Sequence, residues 1–369
     1  MKIEFTPLTG ALVPACRAFN SRLRLHGEPL FVLPEEAPPP EPPAAPGGIA
    51  RTQYVAVDET GAVRGGVLLV EQRGWLAGRE IALVNVQSPL TEGIVDRAFA
   101  GVGFQMLRFI ARRGEFAYAV GMGSDQKPFP RLLKAAGWSV SLVPFQFAVI
   151  QAAPVLRELA PVRQGHRRTL ARLAAATGLG AAAATAWRAA HPNPPLRGYS
   201  LEQAAFEPGH LDLAWARCRE AFTFAAARDA QAVESLHPAT QPRLRRFVLR
   251  RGGEPLGWSA GLVTEMRDNP HFGNLTVATI LDALAPGDHL PALLALTRDA
   301  LADLGAALVI ANNTHARWRE VCRRLGFLSA PSNYVLGLSK PLAAVLQSLP
   351  EGLSRAYVTR ADGDGRLHL

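Results

Sequence analysis

Gly101 and Gly103 stand where an apolar run gives way to a helical pattern, a placement able to hold a phosphate. The stretch reads Asp96-Arg-Ala-Phe-Ala-Gly101-Val-Gly103-Phe-Gln-Met-Leu107. At such a junction the first N–H groups and the positive end of the helix dipole face an anion, and glycine lets backbone approach it. A plain tight turn would use the same residues. Basic side chains offer a different chemistry, the binding of a polyanion. The densest runs are Arg243, Arg245, Arg246, Arg250 and Arg251, and Arg163, His166, Arg167 and Arg168. No zinc-finger, KH or RNP-type pattern accompanies them, so they read as solvated charge on a strand pair and a helix. The three cysteines, Cys16, Cys218 and Cys322, are far apart and without paired spacing. They suit neither a disulfide framework nor a zinc site, and they fit a reducing compartment.

At 369 residues with a formal charge of +9, the chain is long enough for two domains and basic enough to favour anionic ligands. Glu4 and Pro7 interrupt any signal-peptide core, and no run of apolar residues is long enough to span a membrane. The cytoplasm is therefore the expected address.

The elements that position the glycines can be read from periodicity. A strand is expected over 2–7 and a helix over 11–25, then a break at 34–48 with seven prolines, suited to an exposed loop. A hairpin follows over 53–57 and 66–71, with a strand over 81–87. Val102, Met106, Leu107 and Ile110 share one helical face, with Arg112 and Arg113 at the dipole's negative end. A strand over 116–120, a helix over 128–136 closed by Gly137 and a single strand over 140–150 complete the half. Residues 154–190 read as a helical connector ended by His191-Pro-Asn-Pro-Pro195. The second half repeats the order: strand 200–206, helix 211–226, hairpin 246–250 and 256–263, strand 275–281, a Leu-faced helix from Leu290, strand 307–311, helix 316–325 and strand 334–338. Residues 356–359 form a further edge strand.

Two landmarks test the repeat. Gly61-x-x-x-Gly65 matches Gly253-x-x-x-Gly257, and Gly137-Trp138 matches Gly326-Phe327, both at a displacement of about 190 residues. A duplicated α/β unit follows: a first domain over 1–150, a helical connector over 151–196 and a second domain over 197–369.

That order of elements, with those landmarks, resembles the GNAT acyltransferase fold over nearly the whole chain. The resemblance implies an α/β fold of two mixed-sheet GNAT-like domains in tandem, and an acyl-coenzyme A site where the fourth strand splays from the fifth. The diphosphate would sit on the loop of Ala98, Gly101, Val102 and Gly103. Ala98 stands where the family's pattern has Arg or Gln, and Arg97 lies one residue early. Strand-four backbone at Val86 and Gln87 would donate to the thioester oxygen. In the second half, Asp282-Ala-Leu-Ala-Pro-Gly287-Asp-His-Leu-Pro291 has one glycine and an acid where a phosphate would sit. By contrast, Asn312-Asn-Thr-His-Ala-Arg-Trp-Arg-Glu-Val-Cys322-Arg-Arg-Leu-Gly-Phe327 looks much like the family's strand end and following helix.

Acyl transfer to an amine needs a base for the amine proton and an acid for the departing thiolate. The resemblance points to a carboxylate near the end of strand four, and Glu92 is the candidate, with Asp125 as second choice. Glu92 could equally be a solvated loop acid. The family's tyrosine acid is replaced by Leu133 in the first half and by Cys322 in the second, where Cys322 and Trp318 read as core. Asp282 either caps a loop or orients a substrate.

The implied activity is N-acyl transfer, acetyl transfer in the simplest case, from acyl-CoA to an amine on a small molecule or glycan precursor, without a metal. A Fem-type transferase, similar in layout, would instead take amino acids from aminoacyl-tRNA to cell-wall precursors, and the basic balance suits it while the Gly101-Val-Gly103 loop does not. The third reading is a non-catalytic scaffold on decayed acyltransferase domains, which Leu133 and Ala98 allow.

Overall fold

A computed structural model describes residues 1–27, 31–36, 48–159, 174–175 and 177–363. Most of the proline-rich segment and the basic run at 163–168 lie outside these. The chain forms two compact units that are not consecutive in sequence. The first comprises 1–142, 333–352 and 362–364; the second comprises 143–332, 353–361 and 365–369.

In the first unit, β1 (Ile3–Pro7), β2 (Ala50–Asp58), β3 (Val63–Leu76) and β4 (Arg79–Thr91) are antiparallel neighbours, and β5 (Ala117–Gly121) runs parallel to β4. Strand β15 (Val335–Leu338) pairs antiparallel with β5 on one side and with β6 (Ser139–Leu142) on the other. Helix α2 (Gly101–Arg113) buries the expected stripe of Val102, Met106, Leu107 and Ile110. The stripe packs on Val67, Leu69, Val84, Val86, Ala117 and Ala119 of the sheet and on Leu133 of α3 (Pro128–Ala135). Each such fully buried side chain contributes roughly 1.5–3 kcal/mol. Another cluster joins Cys16, Phe19 and Leu23 of α1 (Val13–Arg24) to Val55, Val63 and Leu90.

The second unit repeats the plan. Its sheet runs β14-β7-β13-β12-β11-β10-β8, with β7 (Phe145–Val149), β8 (Tyr199–Gln203), β10 (Leu244–Arg251), β11 (Glu254–Glu265), β12 (Thr276–Leu284), β13 (Leu308–Asn312) and β14 (Leu328–Ala330). Within this sheet, among the described residues, β12 and β13 are the parallel pair. The short β9 (Phe224–Ala226) pairs with β16 (Ala356–Tyr357). Its helices are α4 (Ala152–Glu158), α5 (Leu179–Ala190), α6 (Pro208–Cys218), α7 (Ala230–Leu236), α8 (Leu290–Asp303) and α9 (Ala316–Arg324); α10 (Lys340–Ser348) belongs to the first unit.

The glycine landmarks occupy equivalent places. A Cβ on Gly65 would lie 2.6 Å from Leu90 O, and one on Gly257 would lie 2.6 Å from Leu284 O. Each glycine thus lets the third strand of its unit approach the end of the fourth. Gly137 and Gly326 close α3 and α9 with φ of 80° and 81°, the left-handed turn that glycine adopts without strain.

Three expectations need correction. The strand expected over 140–150 is two strands in two sheets: Pro144, which has no N–H to give a ladder, separates β6 in the first unit from β7 in the second. Helix 211–226 stops at Cys218, and the chain turns into the buried β9 with Thr223 N–H donating to Arg355 O. The edge strand expected over 356–359 is shorter, with only Ala356–Tyr357 in β16, paired with β9 alone, and it is buried.

Candidate functional site

In the first unit β4 and β5 pair only at Val84–Ala117 and Asn85–Tyr118, and beyond them the strands part. Val84 N–H donates to Phe116 O at 3.0 Å, so strand alternation aims Val86 backbone toward the same side, where pairing has ended. Against β3 the register shifts between Gly66 and Leu68, whose partners are Leu90 and Gln87, so β4 carries one extra residue there. Ser88, at φ 47°, sits in that bulge. The chain then leaves β4 through two 3-10 turns into α2.

At this helix start the two glycines differ. A Cβ on Gly103 would lie 2.8 Å from Leu132 Cδ2, so Gly103 serves the contact between α2 and α3. A Cβ on Gly101 would meet nothing within 4 Å among the described residues. Asp96 caps the preceding turn, its Oδ1 accepting from Ala98 N–H at 2.9 Å.

The second unit has the same bulge. Ala260 and Gly261 pair with Asp282 and Ile280, which leaves Leu281 as the extra residue of β12. Pairing with β13 ends at Ile280–Ala311. Here the gap is filled by the chain itself. Thr314 N–H donates to Val358 O at 3.1 Å and Val358 N–H to Thr314 Oγ1 at 3.0 Å, which lays the 356–358 segment beside the end of β13. Tyr357 OH lies 2.6 Å from both Asp282 Oδ1 and Ala283 O, and it accepts from Ala283 N–H at 3.3 Å. Asp282 is fully buried and also receives Arg228 Nε at 2.6 Å. Burial alone would raise its carboxyl, but Arg228, His237 and Tyr357 outweigh that and hold it down at about 2. Beyond Tyr357 a small cavity of about 70 Å³ opens among Phe222, Leu284, Leu290, Trp318, Arg217 and Arg317.

A bulged fourth strand that parts from a parallel fifth, twice in one chain, can be compared with known architectures. No family profile and no curated protein matches the sequence. Solved structures do. The chain is similar to N-myristoyltransferase from Saccharomyces cerevisiae with bound myristoyl-CoA, at TM-score 0.54 and 11% identity over 91% of this chain and 79% of that one. It is similar to a probable N-acyltransferase from Enterococcus faecalis V583, at TM-score 0.51 and 6% identity over 91% and 72%. A GCN5-related N-acetyltransferase from Anabaena variabilis matches at TM-score 0.50 and 10% identity, again over 91% and 72%. The fold is the GNAT acyltransferase fold.

Within this GNAT fold the residues singled out from sequence scatter. Val86 and Gln87 are buried at the parting of β4 and β5, and Ala98, Gly101, Val102 and Gly103 line the turn into α2. Glu92 is 4% exposed and held by two guanidiniums. Its Oε1 accepts Arg22 Nε at 2.6 Å, and its Oε2 accepts Arg22 Nη2 at 3.1 Å and Arg64 Nη1 at 2.9 Å. Burial pushes its carboxyl up, yet the bonds from Arg22 and Arg64 prevail and its pKa lies below the ordinary value. A base needs a free lone pair and a pKa near the working pH, whereas this carboxylate has both oxygens engaged and ties α1 and β3 to the turn after β4. Asp125 is a half-exposed loop acid bonded to Lys134 Nζ at 2.9 Å, which lowers its pKa. Leu133 is core, and Cys322 is a fully buried thiol that burial pushes well above its ordinary range. Arg246 and Arg250 of the basic run pair with Glu234 and Glu202.

A buried polar group on the other face of the first sheet escaped the sequence reading. Asn85 Nδ2 donates to Asp362 O at 2.7 Å, Gln72 Nε2 donates to Tyr118 OH at 2.9 Å, and Tyr118 OH lies 3.4 Å from Asp362 Oδ1. Asn85 Oδ1 is buried with no partner among the described residues. The available signal was polar Asn85 and Gln87 alternating with Val84 and Val86 in a buried strand.

No helix among the described residues is long and apolar enough to cross a membrane.

Proposed function

We propose that the protein is an acyltransferase that moves an acyl group from acyl-CoA to an amine, with the acyl donor held in the first unit. The observation that carries this is the parting of β4 from β5 after Asn85, which leaves the backbone at Val86 facing a gap that no strand among the described residues fills. A thioester bound there supplies an activated carbonyl and a thiolate leaving group. Val86 N–H points where it can donate to the carbonyl oxygen as charge gathers on it, and a preformed donor in a buried strand needs no reorganisation. Ala98, Gly101, Val102 and Gly103 would carry the diphosphate at the start of α2, where Gly101 leaves the approach open.

Transfer is then direct: the amine nitrogen bonds to the carbonyl carbon, the carbon–sulfur bond breaks, and one proton passes from nitrogen to the departing sulfur. Glu92, engaged by Arg22 and Arg64, acts in this account as an anchor of the β4 exit rather than as the base. The acceptor class is an amine on a small molecule or glycan precursor. In the second unit the residues do not fit an acyl-CoA arm, because Tyr357 holds both backbone groups of Ala283.

Calorimetric titration of acetyl-CoA tests the reading. Wild type should bind saturably, and Gly101→Glu should weaken binding at least about tenfold by setting a carboxylate against the diphosphate. Because nothing lies within 4 Å of a Cβ at Gly101, this variant should fold. Equal affinity in the two proteins would remove the diphosphate from this turn.

A further inference from the structure

With the acyl donor held as proposed above, on which this inference rests, the donor's phosphate end meets the first unit at the start of α2. What continues from that phosphate lies alongside the exposed face of the helix. The face is a row of Ala100, Phe104, Arg108 and Arg112, one residue in four, with Arg97 exposed in the turn before it. At about 1.5 Å per residue the row reaches roughly 16 Å from Gly101 to Arg112.

The row has an apolar centre. Phe104 is 47% exposed, and Ile94, in the preceding turn, is 48% exposed. Gly93 brings that turn onto the helix start, since a Cβ there would lie 2.8 Å from Ala100 Cα. Large apolar side chains left open beside a binding site mark a surface that something covers.

The row is also basic without acids of its own. Helix α2 contains no Asp or Glu. Arg113 is bonded to Glu71, but no carboxylate among the described residues pairs with Arg97, Arg108 or Arg112. Asp96 Oδ1 is taken by Ala98 N–H, and Glu115 stands beyond the end of the helix. The helix dipole favours Arg112 at the C-terminal end, but it disfavours Arg97 at the start unless an anion lies there. A coenzyme has one base and one phosphate beyond its diphosphate, which leaves Ile94 and Arg112 unmatched. An acidic helix with apolar side chains complements the whole row.

We infer that the exposed face of α2 docks an acidic acyl carrier protein, whose phosphopantetheine arm delivers the acyl group to the same gap. The carrier's carboxylates face Arg97, Arg108 and Arg112, and its apolar side chains cover Ile94 and Phe104. Its arm ends in the same pantetheine thioester as acyl-CoA, so the exchange is unchanged. The amine nitrogen bonds to the carbonyl carbon, the carbon–sulfur bond breaks, and the sulfur leaves as the carrier's thiol with the proton from nitrogen.

The test titrates acetylated bacterial acyl carrier protein, and separately acetyl-CoA, into the full chain by calorimetry. Expected is one saturable carrier site that weakens as salt shortens the range of the charges. In Arg108→Ala/Arg112→Ala, carrier affinity should fall about tenfold, the scale of two exposed ion pairs, while acetyl-CoA affinity stays within about twofold. Alanine favours the helix and neither arginine loses a carboxylate partner, so the variant should fold, and its retained acetyl-CoA binding checks that. Acetyl-CoA binding without carrier binding, or carrier affinity unchanged in the variant, would overturn the inference and leave the acyl-CoA reading standing. Equal loss of both donors in the folded variant would give the face to the nucleotide and overturn it as well. Carrier binding without acetyl-CoA binding would uphold the docking face and remove acyl-CoA as the donor, and binding of neither would overturn both.

Discussion

At the scale of single residues, environment rather than type separates the carboxylates. Glu92, Asp125 and Asp282 are all candidates by residue type, with Glu92 first and Asp125 second for the base, but burial and partners give each a different task. Glu92 is enclosed between Arg22 and Arg64, so Glu92→Gln should lower stability by about 2 kcal/mol in urea unfolding, a value discounted because Arg22 is one-third exposed. Its affinity for acetyl-CoA should stay within about twofold of wild type, whereas a catalytic Glu92 would lose turnover and keep its stability. Titration of His315 gives a second test. Its pKa falls from 6.5 to about 4 because burial disfavours the imidazolium. The unfolded chain then binds the proton first, so stability declines as pH drops from about 6.5 toward 4. Asp282, lowered from 3.8 to about 2, withdraws its own contribution only below about 4, as pH falls toward 2. His315→Gln should therefore lose about 2 kcal/mol less than wild type between pH 7 and 4.5. An unchanged pH profile would mean that His315 titrates alike in the folded and unfolded chains.

At the scale of elements, the same device appears in both units: a glycine in the third strand pressed against the end of the fourth. Gly65→Ala and Gly257→Ala should each cost about 1–3 kcal/mol, since the added methyl meets Leu90 O or Leu284 O at 2.6 Å. Gly101→Ala, with open space around it, should cost almost nothing, and thermal unfolding of the three variants separates the cases. Those glycines were also what made the repeat legible in the sequence, because close approach and left-handed turns leave a residue-type signature. Alternation exposed β2 to β5 and β10 to β13, and helical spacing exposed α2 and α9. The division at Pro144 was less legible. A proline announces a break, but nothing local says that 145–149 will pair with β13 some 160 residues later while β15 takes the place beside β5. Register between distant strands is settled by tertiary packing, which a local pattern does not encode.

At the scale of the whole molecule, duplication produced two gaps of the same construction and the C-terminal segment distinguishes them. Residues 356–358 enter the second unit and Tyr357 occupies its gap, while Asp362 joins the buried face of the first sheet beside Asn85. The sequence marked the second loop as degenerate through Gly287 and Asp288, yet the stronger reason lies in a tail that reads as a mere edge strand. The same tail hid the polar group of Gln72, Asn85, Tyr118 and Asp362, because those residues converge only after folding. A net charge of +9 draws anionic ligands toward the chain without choosing a gap. In the proposed function the choice falls to Val86 rather than Ala283, whose N–H and C=O are both taken by Tyr357.

The most direct measurement is the structure of the acetyl-CoA complex. One molecule per chain is expected, in the first unit, with the thioester oxygen within hydrogen-bond reach of Val86 N and the diphosphate over Gly101. Acetyl-CoA seated instead against Ala283, with Tyr357 displaced, would contradict the proposed site.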